Sequence, residues 1–359
     1  ILDFSILFLF VKNFKKDIRS LSKLELQNFF LSNQISPYKG TQVYKWLWEK
    51  GIHNFDEMTN LSLSHRLLLR KNFQIRHVRI NNKQYSDDKT IKYSIALHDN
   101  LAIESVLIPT SKRITACISS QVGCSLDCVF CATSILKRMR NLNIDEIFDQ
   151  VFLMNQESLL NFERPISNIV FMGMGEPLMN YNNVLKAIQK LTSNDGLGMS
   201  PRRITLSTSG IPKIIRKIAD EKVKFKLAVS LHSAIQNARE KIMPFANKFK
   251  LDELLDSLIY WYTKTKSVVT IEYIVWEGIN DKVTDINALV EFCKKIPSKV
   301  NLIQYNPVDN FKISEASQDI INAYIKALTF SNIKVTYRKS RGKDVDAACG
   351  QLVNKLISN

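Results

Sequence analysis

Three cysteines, Cys124, Cys128 and Cys131, fall in the stretch "VGCSLDCVFCATS" at the spacing C-x3-C-x2-C. The chain has six cysteines in all, so half of them share one loop. The thiolate is the form that ligates metal, and thiolates this close are reactive and costly to keep unless something holds them. Three on one loop suit a metal centre. Structural zinc takes four ligands, usually as two CxxC-type pairs, and a fourth is missing locally. A [4Fe–4S] cluster also normally takes four cysteines; with three, one iron keeps a position open for another ligand. Buried free cysteines, or zinc with a distant fourth ligand, are the plainer alternatives. Cys117, Cys293 and Cys349 have no framework spacing, which fits the reducing cytoplasm.

Such a loop needs a scaffold. Strand-like segments "RITACISS", "SNIVFMG", "RRITLSTS", "FKLAVSL", "SVVTIEYIV" and "KVNLIQY" alternate with helical ones such as "NIDEIFDQVFLMNQ", "NNVLKAIQKLT" and "KVTDINALVEFCKKI". Alternation of this kind implies βαβ units and a parallel sheet, an α/β fold. Six units make an open or partial (β/α)6 barrel, and "IKVTYR" adds a late strand. The cysteine loop follows the first strand, at the rim where barrels build their sites. Other polar sets share that rim. "GMGEP", with Gly175 and Glu176, follows the second strand. Ser207 in "STSG" follows the third, Ser230, Leu231 and His232 the fourth, and Asn306 the sixth. Each alone is a turn or a cap, as Ser207 can simply cap the next helix; the shared rim groups them. Glycine lets a backbone approach a ligand, and Glu176 can accept from an ammonium.

Residues 1–75 read as a helical module, 76–110 as an antiparallel β extension or linker, 111–340 as the barrel and 341–359 as a tail. Trp46 and Trp48 are expected in the core of the helical module, as is usual for aromatics at helical spacing. The N-terminal apolar run has about 11 residues, short of the roughly 20 that span a bilayer, and reads as a packing helix or an extension. It lacks the pattern of a secretory signal. The chain opens on Ile, which leaves room for an upstream start. No other segment is long enough to cross a membrane. The 50 Lys+Arg against 34 Asp+Glu, a net +16, make nucleic acid the first partner to weigh, although a compositional bias toward Ile, Lys and Asn also produces such a charge.

Cys124, Cys128, Phe130 and Cys131 together form CxxxCxΦC with Φ aromatic, which resembles the signature of the radical S-adenosylmethionine (SAM) superfamily. The resemblance implies that the open iron binds the amino and carboxylate groups of SAM and that electron transfer splits SAM to a 5′-deoxyadenosyl radical. It narrows to the RlmN-type dual-specificity methyltransferases, acting on adenine C2 of 23S rRNA and tRNA. The stretches that carry it include "SSQVGCSLDCVFCAT", "RNLNIDEI", "FMGMGEPLMNYNNV", "ITLSTSG", "LAVSLHSA", "NLIQYNPV" and "RKSRGKDVDAACGQL". The resemblance implies a fold, a partial (β/α)6 radical SAM barrel with a small N-terminal helical domain, and site roles. Cys124, Cys128 and Cys131 would bind the cluster. Gly175, Glu176, Ser207, Ser230, Leu231, His232 and Asn306 would contact SAM. Cys349 would carry the methyl group, Cys117 would release the product through a transient disulfide with Cys349, and Glu104 would accept a proton.

Adenine C2 is not nucleophilic, which is why two SAM molecules per turnover are implied: one methylates Cys349, the second activates that methyl. A disulfide needs Cα atoms within about 7 Å, so the tail must fold over the barrel mouth, with Gly342 and Gly350 as hinges. Implied partners are 23S rRNA, tRNA and an electron donor such as flavodoxin, with a monomer acting in the cytoplasm and the helical module gripping RNA. A relative acting on adenine C8, the Cfr type, is the runner-up. A structural iron–sulfur or RNA-binding protein and a radical SAM enzyme acting on peptides are the other classes. Two positions depart from the pattern: Ser134 stands where the family has Gly, and Trp276 where it has an aliphatic residue. Cys293 reads as a packing residue.

Overall fold

The computed structural model describes residues 15–308, 311 and 313–353, in two compact units. One ends at His77 and takes in Ser193–Gly198; the other holds the rest. The apolar run at residues 1–11 lies outside the described residues.

In the first unit, β1 (Lys16–Asp17) pairs in parallel with β2 (Phe73–Gln74), and α1 (Lys23–Ser32), α2 (Tyr38–Trp48) and α3 (Leu63–Asn72) run between them. Ser22 and Glu25 satisfy each other's backbone N–H in a capping box that starts α1. Arg70 and Lys71 close α3, where a helix dipole favours cations. Leu26, Phe30, Val43, Leu47 and Trp48 form the core. The expectation for the tryptophans holds for Trp48 only. Trp46 is half-buried, because its Nε1 donates to Asn60 Oδ1 at 2.6 Å and the Lys50 ammonium covers its ring.

The second unit is built on a ten-stranded sheet. Three antiparallel strands, β3 (Arg79–Tyr85), β4 (Ile91–Ala96) and β5 (Ala102–Pro109), lead into β6 (Ile114–Cys117). A two-residue ladder of β7 (Gln121–Val122) and β8 (Arg140–Asn141) closes the base of the cysteine loop. Then follow α4 (Ile144–Phe162), β9 (Asn168–Phe171), α5 (Tyr181–Thr192), β10 (Ile204–Thr208), α6 (Pro212–Asp220), β11 (Lys226–Ser230), α7 (Gln236–Ile242), α8 (Leu251–Thr265), β12 (Val269–Tyr273), α9 (Val283–Lys294), β13 (Ser298–Ile303), α10 (Gln318–Phe330) and β14 (Lys334–Arg338).

β6 and β9 to β14 run parallel as consecutive neighbours, and β14 and β3 are the sheet's two edges, so the barrel is open. The helices cover it through apolar stripes. On α6 the buried positions Pro212, Ile215, Ile218 and Ala219 keep helical spacing. Cys293 is buried on α9, the packing role expected. In the segment read as a β extension, the pairing of Val106 with Cys117 carries the barrel's ladder without a break into β5 and β4. Among the described residues no helix is long and apolar enough to cross a membrane.

Candidate active site

The C-terminal ends of β9 to β13 and the cysteine loop surround a mouth with ≈ 950 Å³ of empty space, part of it open to solvent. Cys124, Cys128, Cys131, Gly175, Glu176, Ser207, Ser230, His232, Asn306 and Cys349 all line it; Glu104, Cys117 and Leu231 do not.

The loop holding the three thiols is fixed from several sides. Cys124 N–H donates to Leu136 O at 3.1 Å, Val129 N–H to Ile242 O at 3.1 Å, and Cys131 N–H to Cys128 O at 3.2 Å. Ser134 does not need the freedom of glycine: its φ is not positive, and its hydroxyl reaches the carbonyls of Cys128 and Cys131, both at 2.7 Å. Burial pushes the Cys124 thiol up to about 12 and raises Cys128 and Cys131 as well. The protein alone therefore keeps them protonated, and a bound cation would reverse that. Phe130 meets His232 edge-on at 4.8 Å and Trp276 at 5.1 Å. Trp276, fully buried, thus packs directly against the cysteine loop.

At the base of this loop, Gly175 has φ +94 and a Cβ there would lie 2.5 Å from Gln121 Cβ. Gln121 Oε1 accepts the Glu176 N–H at 3.0 Å. The Glu176 carboxylate is buried and accepts from Thr208 Oγ1 (2.7 Å), Ser209 N–H (2.8 Å) and Leu178 N–H (3.0 Å). Burial raises its pKa against these hydrogen bonds. His232 is buried with its Nδ1 accepting from Ile274 N–H at 3.2 Å, and burial pulls its pKa down to about 3. Leu231 contributes only backbone: its side chain is fully buried, its N–H donates to Glu272 O and its carbonyl accepts from Arg239 Nε.

The tail folds over the mouth, as expected, with positive φ at Gly342 (68) and Gly350 (84). Ala132 N–H donates to Gly350 O and Thr133 Oγ1 to Leu352 O, both at 2.6 Å. Asn306 Nδ2 donates to Cys349 O at 3.1 Å. Glu104 Oε2 accepts Val353 N–H at 2.9 Å. Glu104 lies two residues before Val106, whose partner is Cys117, so Glu104 and Cys117 share one face of the sheet.

The implied Cys117–Cys349 disulfide is not formed: all six cysteines are free. Burial, then the nearby Cys349, pushes Cys117 up to about 12. Cys349 reaches solvent through the mouth, yet the protein around it raises its pKa, Arg338 opposing.

Several participants escaped the motifs. Glu272 lines the mouth from β12 with Oε1 accepting from Asn301 Nδ2 at 2.9 Å. Arg239 is buried behind the rim. Gln121, Thr208 and Ser209 lay inside quoted stretches, and their hydrogen bonds to the Glu176 loop supplied no sequence signal.

Residues 16–75 match the family described as "Ribosomal RNA large subunit methyltransferase N-terminal domain", and residues 118–292 match "Radical SAM superfamily". The chain is 61% identical to the "Probable dual-specificity RNA methyltransferase RlmN" of Flavobacterium psychrophilum, over 96% of this chain and 99% of that one. It is 60% identical to the protein of the same name in Flavobacterium johnsoniae, over 95% and 98%. Its fold is similar to that of a radical SAM methyltransferase from Sphaerobacter thermophilus, with TM-score 0.87 and 32% identity over 94% and 99% of the two chains.

A radical SAM protein carries a [4Fe–4S] cluster and binds SAM, and the residues present fit both. Three unpaired thiols share one wall. Asn306 Oδ1 is buried at the wall with no hydrogen-bond partner, as an acceptor waiting for a ligand would be. By sequence over nearly its full length, and by fold, the chain belongs to the RlmN family of radical SAM methyltransferases.

Proposed function

We propose that this protein methylates carbon 2 of adenine in 23S rRNA and tRNA, carrying the methyl group on Cys349. The observation that carries the reading is Cys349 itself: a solvent-reachable thiol in a tail strapped across the mouth that the cysteine triad lines. The names of the relatives favour this reading over methylation at C8.

In this reading Cys124, Cys128 and Cys131 hold the cluster. Gly175 brings backbone close to SAM, Glu176, Ser207 and Ser230 supply polar contacts, and neutral His232 and Asn306 complete the wall. Leu231 acts through its backbone. The Cys349 thiol gives its proton to water and displaces the methyl of one SAM, forming an S–CH3 bond as the sulfonium–carbon bond breaks. With the cluster and a second SAM bound, the centre supplies one-electron chemistry that turns that methyl into a carbon radical. As that carbon bonds to C2, Glu104 would accept the proton lost from C2, and the one unpaired electron would pass back to the redox centre. Cys117, once it has lost its proton, frees the product by bonding to the Cys349 sulfur as its C–S bond breaks, and the released CH2 carbon takes up a proton to become CH3. A donor such as flavodoxin, a monomeric state and a cytoplasmic location belong to the same reading, with RNA phosphates held by the basic N-terminal unit.

The test is anaerobic reconstitution followed by isotope-labelled SAM and mass spectrometry of digested rRNA and tRNA. Wild type should give 2-methyladenosine, and Cys349→Ala should keep its iron but lose protein-bound methyl. Methylated RNA from purified Cys349→Ala would overturn the assignment.

A further inference from the structure

Arg239 lies on α7, behind the cysteine loop, and is fully buried. Its Nη2 donates to Ser209 O at 2.6 Å and its Nε to Leu231 O at 3.2 Å, while Nη1 is buried with no partner. Among the described residues no Asp or Glu side chain forms an ion pair with it. A guanidinium cannot shed its proton at ordinary pH, and an unpaired buried charge is strongly unfavourable. The fold therefore retains a cation for which it supplies no anion.

The stretch around Arg239 grips the cysteine loop from behind. Val129 N–H donates to Ile242 O, and Phe245 N–H to Asp127 Oδ1 at 3.0 Å. Cys128 lies between these tethers and is packed in one apolar cluster with Ile242, Met243 and Phe245. Ile242 is three residues from Arg239, on the same helix face.

We propose that Arg239 is the buried counter-charge of the iron–sulfur cluster, a positioning residue that acts through Cys128 and favours the reduced cluster. Adding one electron adds one negative charge, and a fixed cation in a medium of low dielectric stabilises that product more than the oxidised form. The inference rests on the cluster and not on which RNA atom is methylated or on the role of Cys349, so each can fail without the other.

The test is a dye-mediated redox titration of the reconstituted full chain, without SAM, using dithionite and reading the reduced cluster by electron paramagnetic resonance. Arg239→Gln should lower the ratio of reduced to oxidised cluster at a fixed poise about tenfold, a shift of about 59 mV for one electron. Arg239→Lys should recover most of it. Loss of iron in Arg239→Gln but not in Arg239→Lys also supports the proposal, since the charge is then needed to hold the anion. A wild-type potential in Arg239→Gln overturns it. So does equal loss of iron in both variants, which would leave Arg239 only bracing the Ser209 and Leu231 carbonyls. A shift that appears only after SAM is added overturns it too, because the charge would then serve the SAM carboxylate.

Discussion

The side-chain amide of Asn306 donates from Nδ2 to the carbonyl oxygen of Cys349 at 3.1 Å, and its Oδ1 stays buried and unbonded at the wall of the mouth. One residue thus holds the tail with its donor and leaves an acceptor for the ligand. The SAM ammonium is a charged donor, and a hydrogen bond to such a group contributes about 1.5–3 kcal/mol. Asn306→Ala should weaken SAM binding by roughly tenfold or more and speed alkylation of Cys349. Equilibrium dialysis and timed iodoacetamide labelling read the two effects. Unchanged labelling would detach Asn306 from the tail.

Gly175 is a tight point of the mouth's lining. Its φ of +94 strains any L-residue, and an added Cβ would lie 2.5 Å from Gln121 Cβ. Gln121 in turn holds the Glu176 N–H. Gly175→Ala should therefore cost about 1–3 kcal/mol of stability and displace Glu176, so SAM affinity should fall with it. Thermal unfolding and SAM titration measure both, and a variant of wild-type stability would mean that the wall gives way easily.

The sequence made the centre legible because its chemistry is local. Cys124, Cys128 and Cys131 sit within one loop, and the strand pattern placed Glu176, Ser207 and His232 at one rim. The tail's docking was not readable in detail, since Thr133 and Ala132 hold it through backbone carbonyls more than two hundred positions away, and carbonyls carry no sequence mark. Arg239, in "QNAREKI", and Glu272, between Ile271 and Tyr273, belong to no motif. Both are buried, because α7 is roofed by the cysteine loop and β12 is covered on both faces. Trp46 departs from its expected place for the converse reason: helical spacing identifies a face but not where the core stops.

His232 makes acid stability a test of the rim. Burial, helped by the Arg239 charge, pulls its pKa from the ordinary 6.5 to about 3. The unfolded imidazole takes a proton below pH 6.5, whereas the folded one stays neutral until about 3. This group's contribution is whole above pH 6.5 and falls as pH drops toward 3, by about 1.4 kcal/mol per pH unit. His232→Asn keeps an acceptor near Nδ1 and suits the left-handed backbone there, φ +56. Its urea stability relative to wild type should rise steadily from pH 7 to pH 5. Parallel pH profiles would show that His232 already carries a proton in the fold.

Glu104 and Lys92 form the buried pair that anchors the tail at Val353. Lys92 Nζ lies 3.7 Å from Glu104 Oε1, with side chains 6% and 2% exposed, and Glu104 Oε2 holds Val353 N–H. Removing one member strands the other charge, typically at a cost of about 3–5 kcal/mol. Glu104→Ala should therefore destabilise the protein strongly and free the tail, seen as faster amide exchange at Val353. Combining Glu104→Gln with Lys92→Met removes the stranded charge and should recover most of the stability. Methyl transfer should not return with it, because an amide cannot take up the C2 proton; the RNA–protein adduct should build up instead. Urea unfolding across the double-mutant cycle isolates the coupling. If the double variant is as unstable as Glu104→Ala, the two charges are independent. If it methylates RNA at the wild-type rate, the proton leaves by another group.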